Sequence, residues 1–315
     1  MKSVIFFIVC IYCHQAYAQS VEKYYDYKWN ECEPAAARFF AVTTQTDSGY
    51  VESDYFIHEK KLQMTGKYED EAHKIKNGYF YWFHPNGTIE SYGKYEHNKK
   101  TGLWLSYHSN GMMSDSTVYE DGRMTGTSLS WYANGSMKDS TVADPNGSLV
   151  SVGWFENGNL SSAGRYDNQD KRTGVWQFFH SNGKLSARET YVNDVVVNKE
   201  YYDENGVKEA DTTSTDREAE YPGGINEWIN YLYKTCIFPT QYKIVNADKA
   251  IVVVLFSVDE KGVVGDVEVT TPFYPEFDRI AVAAIKRSKR WKPAINHHRK
   301  VKFYMSQPVV FSQEE

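Results

Sequence analysis

Gly102-Leu103-Trp104-Leu105-Ser106-Tyr107-His108-Ser109-Asn110-Gly111 has a near-copy further along the chain, Gly174-Val175-Trp176-Gln177-Phe178-Phe179-His180-Ser181-Asn182-Gly183. Working outward from these two stretches, the Asn-Gly pair recurs at Asn86, Asn110, Asn134, Asn157, Asn182 and Asn205, with steps of 24, 24, 23, 25 and 23 residues. Spacing this regular marks a repeat architecture. Three residues before each Asn stands an aromatic side chain: Phe83, Tyr107, Trp131, Trp154, Phe179 and Tyr202. Three residues after it stand Ile89, Met113, Met137, Leu160 and Leu185. Eight before it lie Gly78, Gly102, Gly126 and Gly174, and nine after it Tyr95, Tyr119, Tyr166 and Tyr191.

Asn-Gly between short apolar runs is a hairpin signal, and a type I′ turn needs positive φ at both central residues. Each unit therefore reads as glycine, aromatic strand, tight turn, second strand, tyrosine. The aromatic and aliphatic residues sit at equal distances from the turn, which makes them cross-strand partners. A degenerate unit with Phe56, Leu62 and Tyr68 precedes the others, as expected of a capping repeat. One hairpin cannot bury its own apolar face, so the units are expected to stack into one elongated antiparallel ribbon.

Over residues 50–208 this pattern resembles the MORN repeat, in a variant found in bacterial envelope proteins and in some antitoxins. The resemblance implies a mainly β repeat array that acts by binding. It leaves open an alternative function: a structural or protein-interaction scaffold, or an antitoxin-like protein acting through the repeats.

The chain has 315 residues, a net charge of −6 and 16% aromatic residues. That size suggests about two domains, and the acidic balance argues against nucleic acid as a partner. Lys2, the apolar run Val4 to Cys13 and Ala16-Tyr17-Ala18 read as a cleavable signal peptide over 1–18. Residues 19–49 are expected to cap the array, with a helical-looking stretch from Ala35 to Val42. Cys10 and Cys13 would leave with the leader, and export permits a disulfide between the remaining Cys32 and Cys236. Two unpaired thiols fit the sequence as well.

Residues 209–220 are polar and read as a linker. The pattern then changes over 221–315. Ile225, Trp228, Ile229 and Leu232 fall on one face of a helix. Ala250 to Val258 and Val263 to Thr270 form a hairpin around Asp259 to Gly262. Pro275 to Arg290 is a second helix with Phe277, Ile280, Ala281, Ala284 and Ile285 inward, and Val301 to Phe311 a last strand. The order helix, hairpin, helix, strand is a small α+β domain. Tyr221-Pro222-Gly223-Gly224, Phe238-Pro239, Gly262, Phe277-Asp278 and Trp291-Lys292-Pro293 together resemble the C-terminal domain of TonB, in a form common in Bacteroidetes envelope proteins.

The resemblance implies an exported protein, periplasmic or outer-membrane-associated in a Gram-negative bacterium. It implies a protein partner in the envelope, such as an outer-membrane transporter or receptor, and a transport-associated adaptor role. Its transducers keep a membrane anchor and a long spacer. With a cleaved leader and a short linker, this chain is expected to bind without being pulled by an inner-membrane motor. In the family an extended partner segment pairs with an exposed sheet edge. The matching positions are Val301, Phe303, Tyr304 and Met305, beside a basic cluster that includes Arg290, Lys292, Arg299 and Lys300. A peripheral membrane contact and a homodimer stay open. Phe238, Pro239, Gly262, Phe277, Asp278, Trp291 and Pro293 are structural motif positions.

Nothing in the sequence carries enzymatic chemistry: no nucleophile elbow, metal helix or phosphate loop is present. No catalytic residue, metal or cofactor is expected. His297-His298 would point to opposite sides of a strand. His84, His108 and His180 recur two residues before the repeat Asn, as turn-supporting positions.

Overall fold

The structure, a computed structural model, describes residues 19–313; the expected leader at 1–18 lies outside them. Fifteen strands, from β1 (Gln19–Tyr25) to β15 (Val195–Tyr201), form one sheet in sequence order. The strands pair antiparallel, and the sequence-derived cross-strand partners meet: Phe83 with Ile89, Tyr107 with Met113, Trp131 with Met137, Trp154 with Leu160 and Phe179 with Leu185.

The Asn-Gly turns are not type I′. Only their glycines have positive φ, for example Gly87 at 90° and Gly111 at 83°. The His84 N–H donates to the Thr88 carbonyl and the Gly87 N–H to that of His84, so the loop has three residues and ends on a left-handed glycine. In a loop of this kind only the last residue is left-handed, so the asparagine has no positive φ, and its side chain ties the turn to the next unit. Asn86 Oδ1 accepts the Thr88 N–H at 2.9 Å, and Nδ2 donates to the Ser109 carbonyl of the next turn at 2.8 Å. Asn110, Asn157 and Asn182 repeat that link. His84, His108 and His180 add a parallel one, each with Nε2 2.9 Å from a carbonyl of the next unit. The type I′ geometry appears on the opposite side of the ribbon, at His97-Asn98 and Asn193-Asp194, where both residues have positive φ.

A single sheet leaves its side chains little to pack against, and here the aromatics lie flat on their own layer. Phe80, Trp104 and Trp176 cover Gly66, Gly93 and Gly164, where a Cβ would overlap the ring. Tyrosines meet these rings edge-on: Tyr68–Phe80 at 5.1 Å, Tyr95–Trp104 at 4.9 Å and Tyr166–Trp176 at 5.0 Å.

Before the repeats, the stretch expected to be helical from Ala35 to Val42 is instead one 3-10 turn (Pro34–Ala36) followed by β2 (Phe39–Thr46). Phe39, Phe40, Val42, Thr43 and Thr44 are aromatic or β-branched, and pairing on both sides outweighs the four alanines of the stretch.

The C-terminal region contains α1 (Gly224–Thr235), β16 (Lys249–Val258), β17 (Val264–Thr271), α2 (Pro275–Lys286), β18 (Ala294–Asn296), β19 (Arg299–Val301) and β20 (Phe303–Ser312). Its main sheet runs β17-β16-β20. Val252, Val254, Phe256, Val309 and Phe311 turn to the helices and meet Trp228, Leu232, Phe277, Ala281 and Ile285 in one buried core. Ile225 and Ile229, expected inward, are exposed. The apolar stripe of α1 is wider than the sheet can cover, and Trp228 and Leu232 take the buried side. Residues 217–220 pair with the stretch around β18, through Arg217–Ile295 and Glu220–Lys292.

Candidate functional site

β20 is an edge strand, bonded on one side to β16. The Gln313 N–H reaches the Asp248 carbonyl, which sets the parity of the ladder. Odd-numbered residues of β20 bond inward to β16, and Tyr304, Ser306, Pro308 and Val310 turn their backbone groups to the open side. Pro308 has no N–H, and its carbonyl accepts Gln307 Nε2 at 2.7 Å. Gln307 Oε1 in turn accepts the Trp228 indole N–H at 2.7 Å. That end of the edge is therefore capped, and the free stretch runs from Phe303 to Ser306. Phe303 and Met305 point into the core. Tyr304 is 48% exposed, with its hydroxyl on Asp266 Oδ2 at 3.0 Å. Val301 ends β19 and is partly exposed.

The basic cluster divides. Arg290, Lys292 and Lys300 are exposed, and Lys292 Nζ lies 3.1 Å from Glu220 Oε2. Arg299 departs from the outward placement read from the sequence. Its Nη1 donates to the carbonyls of Ser161 and, at 2.6 Å, Phe179. Its guanidinium lies over the rings of Phe155 and Phe178. Burial pushes its pKa down to about 10. Nearby Lys302 bridges Glu156 at 2.6 Å and Asp266 at 2.9 Å.

The motif residues shape the module. Phe238 packs edge-on against Phe277 at 5.2 Å, and Pro239 is buried. Asp278 Oδ1 accepts the Phe273 N–H at 2.9 Å ahead of α2, and burial raises its pKa to about 6. Gly262 has φ 79°, and a Cβ there would overlap the Trp291 carbonyl oxygen. The Trp291 N–H donates to the Gly262 carbonyl at 2.8 Å, and Pro293 leads into β18.

Sequence reasoning missed a seam between the two regions. Arg38 Nε donates to the Ile251 carbonyl at 2.9 Å, continuing the edge of β16 beyond the end of β17. Its guanidinium lies 4.5 Å from the Phe273 ring centre. His58 stacks on Tyr274 at 4.1 Å. At the other end, His297 and His298 are the two turn residues between β18 and β19, with φ 51° and 60°. His297 lies 3.5 Å above Phe178, and its Nδ1 meets Glu189 Oε2 at 2.9 Å. His298 stacks on Tyr201 at 4.5 Å. Left-handed backbone at two consecutive histidines costs about 1–2 kcal/mol per residue, and these ring contacts offset it. The available signal was the short alternation Ala294-Ile295-Asn296 and Arg299-Lys300-Val301 around the pair. Two open clefts border the seam, of about 530 Å³ and about 460 Å³, and Arg299 lines both.

Among the described residues, no group of His, Cys, Asp and Glu is placed to hold a metal, and no helix is long and apolar enough to cross a membrane. Cys32 and Cys236 are free thiols; burial pushes that of Cys236 up to about 12.

Residues 246–312 match the family model of the Gram-negative bacterial TonB protein C-terminal. Residues 76–97 and 172–193 match the MORN repeat variant. No curated protein matches the chain. The chain thus joins a TonB-like envelope module to repeats of a protein-interaction type.

Proposed function

We propose that this is a non-enzymatic, exported protein of the Gram-negative envelope that captures an extended segment of a protein partner by strand addition to β20. The partner class we favour is an outer-membrane transporter or receptor, with the protein as a transport-associated adaptor. The observation that carries the reading is the open stretch of β20. Tyr304 and Ser306 present unpaired backbone donors and acceptors, and a template of this kind binds through main-chain bonds. Hydrogen bonds, ion pairs and ring contacts from the repeat sheet reach Ile251 of β16, Glu268 of β17, Arg299, Lys302 and the loops, but none among the described residues reaches Met305–Ser312. A scaffold whose two regions act separately draws less support, because Arg38, His58 and His297 tie them together.

The test uses the full chain carrying Ser306→Pro. Ser306 is exposed and its N–H faces outward, so proline removes an edge donor and leaves the β16 ladder intact. Envelope proteins captured by the unmodified chain should be lost from the variant while its thermal midpoint is unchanged. Capture that persists in the folded variant rules out strand addition at this edge.

A further inference from the structure

We infer that the larger of the two clefts, on the repeat sheet and bordered by the β18–β19 turn, binds a neutral saccharide of about two sugar rings. The inference does not depend on strand addition, since no residue of β20 lines this cleft.

The cleft exists because two units break the packing rule of their neighbours. Phe80 lies on Gly66, Trp104 on Gly93 and Trp176 on Gly164, each ring over a glycine of the preceding strand. In the two units between Trp104 and Trp176 the ring positions hold Ser128 and Ser151, and the glycine positions opposite them hold Thr117 and Thr141. Hydroxyls meet where ring and glycine would. Thr117 Oγ1 and Ser128 Oγ are 2.6 Å apart, and Thr141 Oγ1 donates to Ser151 Oγ at 3.1 Å. These two consecutive pairs forgo the burial that the rings contribute, and they leave the sheet surface low where a ring would stand. The result is the open cleft of about 530 Å³, lined by Ser128, Thr141 and Ser151 and closed at one end by Trp176.

The lining selects for hydroxyl groups. Each serine or threonine hydroxyl offers one donor and two acceptor positions, and the pairs above use only part of that capacity. Ser162 adds another hydroxyl. Asp139 adds a carboxylate whose Oδ2 accepts the Ser130 hydroxyl and whose Oδ1 accepts no hydrogen bond from another described residue. Asn296, exposed on the β18–β19 turn, brings an amide to the opposite side. An apolar ligand would leave these groups unpaired, whereas a polyol both donates to them and accepts from them. Charge favours a neutral occupant. The carboxylates of Asp139 and Asp170 balance the guanidiniums of Arg172 and Arg299 around the cleft. Both guanidiniums are already engaged, Arg172 by the Tyr191 hydroxyl at 3.2 Å and Arg299 by the Phe179 carbonyl.

The test is an NMR titration of the full chain, read by saturation transfer to the ligand. The probes are maltose, cellobiose and N,N′-diacetylchitobiose, with a sulfated heparin disaccharide as the charged comparison. We expect saturable binding of at least one neutral disaccharide and weaker binding of the sulfated one. Thr141→Gly with Ser151→Trp rebuilds the ring-on-glycine unit of the neighbouring hairpins and fills the cleft, so it should abolish binding while the thermal midpoint holds or rises. Asp139→Asn keeps the shape, removes the charged acceptor and should weaken binding about tenfold. Ser306→Pro, which tests strand addition, should bind the sugar as the unmodified chain does. No saturable binding of any neutral disaccharide would overturn the inference. So would binding that survives in the folded, filled variant, or wild-type binding by Asp139→Asn. Tighter binding of the sulfated disaccharide would overturn the preference for a neutral ligand.

Discussion

Trp104 in the repeat sheet and Trp228 in the C-terminal module are both buried, but by different means. Trp104 lies flat on Gly93 of its own sheet and is closed in by Tyr95 and Tyr119, all within a few strands. Trp228 is held between layers, with Phe256 below it and Trp291, Tyr221 and Tyr231 around it. A repeat sheet can therefore be extended unit by unit, each hairpin needing only its neighbours. The module is closed, so what it leaves uncovered, the β20 edge and the α1 flank, stands out as a surface for something else.

The largest expected effect tests the closed side. Phe277 is fully buried amid Phe238, Phe273 and Phe311, so Phe277→Ala should cost the module about 3–5 kcal/mol in chemical denaturation. Two separate transitions in that variant would show that the seam does not couple the regions. A single lowered transition would show that it does.

Next is a dependence on pH inside the ribbon. Burial and the neighbouring Glu52 raise the Asp54 pKa from 3.8 to about 8. The folded state keeps this proton up to about pH 8, while the unfolded chain releases it near 3.8. Stability should therefore fall as pH rises through that window. Asp54→Asn should flatten the thermal midpoint across it, and an unchanged slope would assign the effect elsewhere.

The flat-ring packing is tested by two glycines. A Cβ on Gly164 would overlap Trp176, so Gly164→Ala should cost about 1–3 kcal/mol through forced repacking. Gly158 has open space around it and φ 83°, so Gly158→Ala should cost only its backbone strain, about 1–2 kcal/mol. Near-ultraviolet circular dichroism should change in the first variant and stay constant in the second. The smallest effect is at one link between units. Asn182→Ala removes the 2.8 Å bond to the Glu204 carbonyl and the 3.0 Å bond from the Lys184 N–H, both exposed, and should cost about 0.5–1.5 kcal/mol.

Much of the fold was legible because its contacts are local. The repeat spacing, the cross-strand pairs such as Tyr107–Met113 and the inward face of α2 all follow from residues close in sequence. Some signals were present and unread. Gly66-Lys67-Tyr68, Gly93-Lys94-Tyr95 and Gly164-Arg165-Tyr166 repeat the slot that receives each flat ring. Periodicity misled at α1, since it reports where apolar residues lie and not how much of them a neighbour covers. Composition misled at Ala35 to Val42, where pairing on both sides decided the conformation.

By itself, the sequence determined a ribbon of stacked hairpins followed by a small α+β module, because hairpin turns, strand alternation and helix stripes are written within a few residues of one another. The tertiary structure decided which edge of the module is open, that Arg299 turns in to Ser161 and Phe179, and that Arg38 and His297 join the two regions. Those contacts link residues more than a hundred positions apart, and their energies depend on burial and geometry that exist only once both regions are folded.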